Sequence, residues 1–271
     1  MIEQTLNQLN HDDATVRYEA AQKLGSLNDT RAVAPLIDVL PDKNSKVQYA
    51  AFSSLIKLGS RDAVTPLVDL LINKLDSQVW ALLKLNIGLR LRKGLIELVE
   101  PGDLSLSDRL QGVLDENDTL DEHQRAFFIR LIGKTADERR IEKLIRYLAR
   151  ETAAVKVAAA EALGMIGDAR AVPPLTLYAG INEDTLSDAA LREVAIEALG
   201  RIGDPGVVDL LIASLSDENE WIRRAAAEAL GCIGDAKAMH ALVAALQDED
   251  AMVQDAAFDA IKKLNGVERM S

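Results

Sequence analysis

A chain of 271 residues with a single cysteine and a formal net charge of −12 cannot build an internal disulfide framework. It also lacks the basic face that a general nucleic-acid binder uses to release counterions from phosphates. Hydrophobic residues make up 48% of the chain but aromatic ones only 4%, so alanine and leucine carry the apolar share, which suits helices whose backbones approach closely.

The N-terminus, MIEQTLNQLN, has neither the basic start nor the apolar run of a signal peptide. With one cysteine, the expected setting is cytoplasmic. The first element is a short helix over 2–9. After it the chain repeats itself. Aligned on the residue that opens each VR-like pair, the anchors are Val16, Val47, Val79, Gln124, Val155, Leu191, Ile222 and Val253, with gaps of 31, 32, 45, 31, 36, 31 and 31. A period of this size is the signature of a solenoid.

The units differ along the chain. Those at Val16 and Val47 place Tyr18 and Tyr49 two residues past the anchor. The unit at Val79 has Ala81, Leu85 and Leu89 where polar residues are expected, with Trp80 beside them. The apolar stretch 81–99 carries Lys84, Arg90, Arg92 and Lys93, which exclude an ordinary membrane span. The gap of 45 predicts an irregular segment at 93–118, least helical at PGDLSLSD (101–108). Residues 125–150 then hold eight Lys or Arg against three acids, whereas 151–271 hold 21 acids against 10 bases. The block around Arg139 and Arg140 is therefore expected either to form inter-repeat pairs or to hold an acidic group.

In the last half one phrase occurs three times: EALGMIGD (161–168), EALGRIGD (197–204) and EALGCIGD (228–235). In the unit at Ile222, acidic residues mark a helix start. Ile222, Ala226, Leu230 and Ile233 form one helical face. Gly234 ends the helix, and a second pattern follows through Met239, Leu242, Val243 and Leu246. In EALG the alanine and leucine are expected to be buried between helices, and the first glycine to let backbones approach. The second glycine closes the helix and the aspartate starts the turn, so Met165, Arg201 and Cys232 face solvent. No long period-two alternation is present. The expected fold is all-α: an α–α superhelix of about eight helix-turn-helix units, right-handed and forming one domain over 1–271.

If each second helix is counted from its anchor as zero, 0, +4, +8 and +11 are core. Positions +2, +6 and +10 then line the opposite, concave face. Position +6 reads Gln22, Ser53, Leu85, Arg130, Glu161, Glu197, Glu228 and Asp259. The last four predict an acidic strip that steers a basic partner. Tyr18, Tyr49, Trp80, Leu85 and Leu89 predict an aromatic and apolar contact surface in the N-terminal half, because exposed apolar area marks partner sites.

The text VRYEAAQKLGSLNDTRAVAPLI (16–37), VKVAAAEALGMIGDARAVPPL (155–175), LREVAIEALGRIGDPGVVDLL (191–211) and IRRAAAEALGCIGDAKAMHAL (222–242) resembles HEAT repeats, specifically the short HEAT-like type of phycobilisome lyases. Pro35, Pro66 and Pro173 sit where that family often has a proline. The resemblance implies that the basic residue at +1 (Arg17, Arg125, Lys156, Arg192, Arg223) pairs with a turn aspartate of a neighbouring unit, with Asp42, Asp217 and Asp248 as candidates. It implies a protein partner on the concave face, a phycobiliprotein or a photosynthetic complex. Two functions follow from it: a non-catalytic scaffold or assembly factor, or a bilin lyase that attaches a linear tetrapyrrole to a phycobiliprotein cysteine. Only the lyase would use a bilin. Well-known lyases carry a YYAAWW-like phrase, where this chain keeps Tyr18 but has Glu19, Gln22 and Lys23. Deoxyhypusine hydroxylases, also HEAT-like, place His-Glu iron ligands at +2 and +3. Here those positions read Tyr18-Glu19, Tyr49-Ala50, Val157-Ala158, Glu193-Val194 and Arg224-Ala225. The three histidines, His11, His123 and His240, are scattered without metal-ligand spacing. No catalytic residue, metal or resident cofactor is expected.

Overall fold

The computed structural model describes residues 2–73, 80, 86–180 and 189–266. Among these are sixteen α-helices and no strand. The chain divides into two compact units, Met1–Glu100 and Pro101–Ser271. The first contains α1 (Ile2–Gln8), α2 (Ala14–Leu27), α3 (Val33–Asp38), α4 (Ser45–Leu58), α5 (Val64–Asn73) and α6 (Asn86–Leu98). The second contains α7 (Leu104–Glu116), α8 (Glu122–Lys134), α9 (Ile141–Arg150), α10 (Ala153–Ile166), α11 (Val172–Ala179), α12 (Ala189–Ile202), α13 (Val208–Ser214), α14 (Glu220–Ile233), α15 (Met239–Ala245) and α16 (Ala251–Leu264).

Within each unit the longer helices form a row. In the first, α2 packs on α4 and α4 on α6; in the second, α8, α10, α12, α14 and α16 pack in order. A shorter helix packs on the long helix that follows it, as α9 does on α10 and α13 on α14. This is the arrangement that apolar residues at 0, +4 and +8 demand. Ile222, Ala226 and Leu230 of α14 are fully buried, as are Val155, Ala159 and Leu163 of α10.

The repeated phrase is the seam between successive long helices. Gly164, Gly200 and Gly231 each face the backbone of an alanine on the next long helix. A Cβ on Gly200 would stand 2.7 Å from Ala229 Cα, and one on Gly231 would stand 2.8 Å from Ala260 Cα. The glycine is at +9 and the alanine at +7, so EALG supplies both halves of the contact. Between α2 and α4 the alanine becomes Ser54, whose hydroxyl donates to the Ala21 carbonyl at 2.8 Å.

The second glycine has a different role. Gly167, Gly203 and Gly234 adopt φ of 77°, 78° and 75°, left-handed values that end a helix without steric cost. The next aspartate accepts the amide two residues on, at 2.8 Å for Asp168, 2.7 Å for Asp204 and 2.9 Å for Asp235. Each thereby starts one turn of 3₁₀ helix that leads into the next repeat. After α8 this conformation falls on Ala136, at φ 53°. A left-handed alanine is strained by about 1–2 kcal/mol. Ala136→Gly should therefore raise stability by about 1 kcal/mol after the entropy cost of glycine. Urea midpoints measure this, and a destabilised variant would show that the alanine is not strained.

The basic residues at +1 form the expected ladder. Arg17 donates from Nε to Asp42 at 2.6 Å and from Nη2 at 3.0 Å, while Nη1 caps the carbonyls of His11 and Asp12 at 2.8 Å each. Arg223 repeats the pattern on Asp248, at 2.8 Å through both nitrogens. Arg192 pairs with Asp217, and Arg125 with Glu151 rather than an aspartate. Lys156 instead lies over the Tyr178 ring, 6.0 Å from its centroid.

One expectation about the middle of the chain needs correction. Residues 93–118 are not irregular: α6 runs to Leu98 and α7 from Leu104 to Glu116. Asp103 caps α7 by accepting the Leu106 amide at 2.9 Å, and Leu106, Leu110 and Leu114 bury its inner face. Only the turn at Pro101 and Gly102, with Gly102 at φ 90°, breaks the helical pattern. Val79, the expected anchor of the third repeat, lies outside the described residues. Gly94 of α6 faces Ile56 of α4 so closely that a Cβ would overlap it. Ile56 is at +9 of its helix, so Gly94 is at +7 and α6 counts from residue 87. The glycine and the larger residue have exchanged sides of the seam, which is why the repeated phrase is missing there.

Candidate binding surface

A groove lies in the first unit, between the N-terminal ends of α2 and α4. It encloses about 780 Å³ and is lined by Ala14, Thr15, Tyr18, Lys43, Asn44, Ser45, Lys46 and Tyr49. Its walls follow from local rules. Asp13 caps α2 by accepting the Thr15 amide at 2.8 Å, and Asn44 caps α4 by accepting the Lys46 amide at 2.9 Å. Two residues past each anchor, the helical period turns Tyr18 and Tyr49 to the same face, where both are half-buried. Tyr18 accepts from Gln22 Nε2 at 2.6 Å, which leaves its hydroxyl proton to donate elsewhere. Burial, with the Tyr18 phenol beside it, pushes the Tyr49 phenol above its ordinary pKa, so it remains an O–H donor.

The expected acidic row exists, but its carboxylates already have cations. Glu161 is bound by Arg130 of the preceding long helix. Arg224 bridges Glu193 at 3.1 Å and Glu228 at 3.7 Å, Arg201 reaches Glu197 at 3.3 Å, and Lys262 reaches Asp259 at 3.4 Å. Arg130–Glu161 and Glu193–Arg224 join the same position of successive repeats, which makes this face a charge zipper as well as an acidic strip.

Within it Glu197 is partly buried, as are Glu161 and Glu193. Desolvation raises the Glu197 pKa, and Glu193 and Glu228 add to the effect while Arg201 and Arg224 oppose it. A carboxyl raised in the folded state contributes stability below its unfolded pKa and loses it as pH rises through the folded value. Glu197→Gln should therefore melt at or slightly above wild type at pH 7, with the advantage vanishing near pH 4. Calorimetry at both pH values tests this, and a clear loss of stability at pH 7 would show that the pair with Arg201 dominates.

The remaining candidates separate. Trp80 leaves the surface set: it is 2% exposed and its Nε1 donates to the Leu71 carbonyl at 3.0 Å, so it is part of the core. An indole can be buried where its N–H finds such an acceptor. Leu85 lies outside the described residues. Leu89 is 60% exposed and, counted from residue 87, occupies the +2 position that Tyr18 and Tyr49 hold in their repeats. The block at Arg139 and Arg140 is committed to Asp137, Asp108 and Ser107. Lys43 and Lys46 were missed because they lie just before and in the first turn of α4, ahead of the anchor Val47 from which the helical period was counted. The only signal was two bases flanking the Asn44 cap. Cys232 is exposed, beside a groove of about 400 Å³ between α14 and α16. Among the described residues no group of three or more His, Cys, Asp or Glu is placed to hold a metal, and no helix is long and apolar enough to cross a membrane.

A family model described as HEAT repeats matches residues 2–85, 110–186 and 183–262. The chain belongs to the HEAT-repeat family. No curated protein matches it. Solved structures that resemble its HEAT repeats include human deoxyhypusine hydroxylase in complex with glycerol, at 21% identity over 98% of this chain and 84% of that one, with a TM-score of 0.43. An engineered protein matches at 19% identity over 97% and 78%, with a TM-score of 0.44. The complex of CpcE and CpcF of phycocyanin lyase from Nostoc sp. PCC7120 matches at 22% identity over 100% and 88%, with a TM-score of 0.43. At these identities the likeness concerns the HEAT-repeat fold alone.

Proposed function

We propose that this HEAT-repeat chain is a non-catalytic protein-binding scaffold or assembly factor whose specific contact is the groove between α2 and α4. The observation that carries this is the pair of half-buried tyrosines, one repeat apart, in an open groove of about 780 Å³. Tyrosines in such a place bury large area with few rotors, which is how interface hot spots work. The +2 and +6 positions are taken to line the concave face. A phycobiliprotein is the partner to test first, because the repeat phrases resemble those of phycobilisome lyases.

Surface plasmon resonance with a purified phycobiliprotein, and with any partner identified from the native host, tests the assignment. Tyr49→Ala should weaken binding by more than about 1 kcal/mol, mostly through faster dissociation. Wild-type affinity in that variant would remove the groove as the contact. Added phycocyanobilin separates scaffold from lyase: a scaffold leaves its visible spectrum unchanged, whereas a lyase binds it and reshapes the absorption.

A further inference from the structure

We infer that the groove between α2 and α4 takes an acidic, extended protein segment, with two or more carboxylates flanking an apolar side chain. This rests on the scaffold function proposed above and names the chemistry of the partner. The groove lining contains Lys43 and Lys46 and no acidic residue, in a chain whose acids outnumber its bases by 43 to 31. Neither lysine has an ion-pair partner among the described residues. The nearest carboxylates in sequence are already used. Asp42 holds Arg17 at 2.6 Å and the Asn44 amide at 2.7 Å, and Asp13 holds the Thr15 amide at 2.8 Å. What faces the groove is therefore donor-rich: two ammonium groups and the Tyr18 and Tyr49 hydroxyls, with the ends of two helix dipoles behind them.

The acceptors that would complement these donors must come from the ligand, and anionic oxygens satisfy them best. Size and shape choose a peptide over a small anion. A groove of about 780 Å³ with two phenol faces offers apolar area that inorganic phosphate leaves unused. The contrast with the zipper on the second unit is the deciding comparison. There Glu161, Glu197, Glu228 and Asp259 each have a cation within 4 Å, whereas Lys43 and Lys46 have no carboxylate within that distance among the described residues, and the groove's sign runs against that of the chain as a whole.

An array of twelve-residue peptides with acidic, neutral or basic composition, probed with the full chain, tests this. Acidic peptides containing an aromatic or leucine residue should be selected. In solution, the affinity for a selected peptide should fall at least tenfold in Lys43→Glu/Lys46→Glu and should weaken as salt rises. Lys23→Glu/Lys57→Glu has the same net charge but alters exposed lysines outside the groove, and should bind as wild type. Competition by millimolar inorganic phosphate would overturn the peptide in favour of a small anion. An array with no acidic preference, or one whose preference survives the Lys43/Lys46 reversal, also overturns the inference. If a protein partner is lost on Tyr49→Ala yet unaffected by the lysine reversal, the groove remains the contact and only its acidic ligand is wrong. If neither change affects that partner, the groove assignment itself falls.

Discussion

Gly200→Ala should destabilise the second unit by about 3 kcal/mol, an unusually large effect for one methyl group. The added Cβ would stand 2.7 Å from both Cα and Cβ of Ala229. The obstacle at Ala229 is partly backbone, so no rotamer change relieves it and α12 and α14 must separate. Overpacking of this kind costs about 1–3 kcal/mol, and the backbone partner places this site at the upper end. Gly112→Ala on α7 is the matched control. Nothing lies within 4 Å of its added Cβ, so the ordinary helix preference for alanine should stabilise by up to about 1 kcal/mol. Urea melts of the two variants should shift in opposite directions. Repeats couple mainly to neighbours, so amide exchange in Gly200→Ala should quicken first in α12 and α14. Equal melts would show that the seam can open without cost.

Asp137→Ala should cost about 2–3 kcal/mol. The carboxylate has no exposed surface. It accepts from Ser107 Oγ at 2.7 Å, from Arg139 through the backbone amide at 3.0 Å and through Nε and Nη2 at 2.8 Å each, and it pairs with Arg140 Nε at 3.1 Å. Its removal leaves Ser107 buried without its acceptor and both guanidinium groups with Asp108 as their remaining carboxylate. Breaking a fully buried ion pair costs about 3–5 kcal/mol; Arg139 is half exposed, and solvent lowers the figure. The same geometry makes a pH prediction. The Arg139 hydrogen bonds hold the Asp137 carboxyl well below the usual carboxylate range, with Ser107 and Arg140 contributing and burial opposing. A depressed carboxyl contributes its full stability above its unfolded pKa of about 3.9 and loses it as pH falls toward the folded value. Wild type and Asp137→Ala should therefore differ most near neutral pH and converge as pH falls below about 4. A gap that does not shrink at all between pH 4 and pH 2 would mean that packing, not charge, holds the site.

The repeat arithmetic of this sequence was enough to determine the all-α architecture. A phrase that recurs at intervals of 31 to 36 residues has one physical solution, in which each copy meets the next in the same way, and Gly200 against Ala229 is that solution at atomic scale. The turn chemistry was equally legible. A glycine followed by an aspartate is a local instruction, a left-handed cap and then an accepted amide, that needs no distant partner. The basic ladder at +1 was expected from the resemblance to HEAT-like repeats, and Arg17, Arg192 and Arg223 form it with Asp42, Asp217 and Asp248.

Where the repeat broke, reasoning by period failed. The third unit counts from residue 87 because Gly94 takes the place that alanine holds elsewhere, and only the packing against Ile56 reveals it. Trp80 looked like a surface aromatic from its offset, but its burial and the Leu71 carbonyl that accepts its N–H mark it as core. The binding surface was half legible. Helical period alone placed Tyr18 and Tyr49 together. That Lys43 and Lys46 stand unpaired between them, while the long acidic row is neutralised by Arg130, Arg201, Arg224 and Lys262, depends on which side chains meet across helices. Formal charge counts residues, whereas the field a partner meets depends on which charges the fold has already paired, and only the tertiary structure decides that.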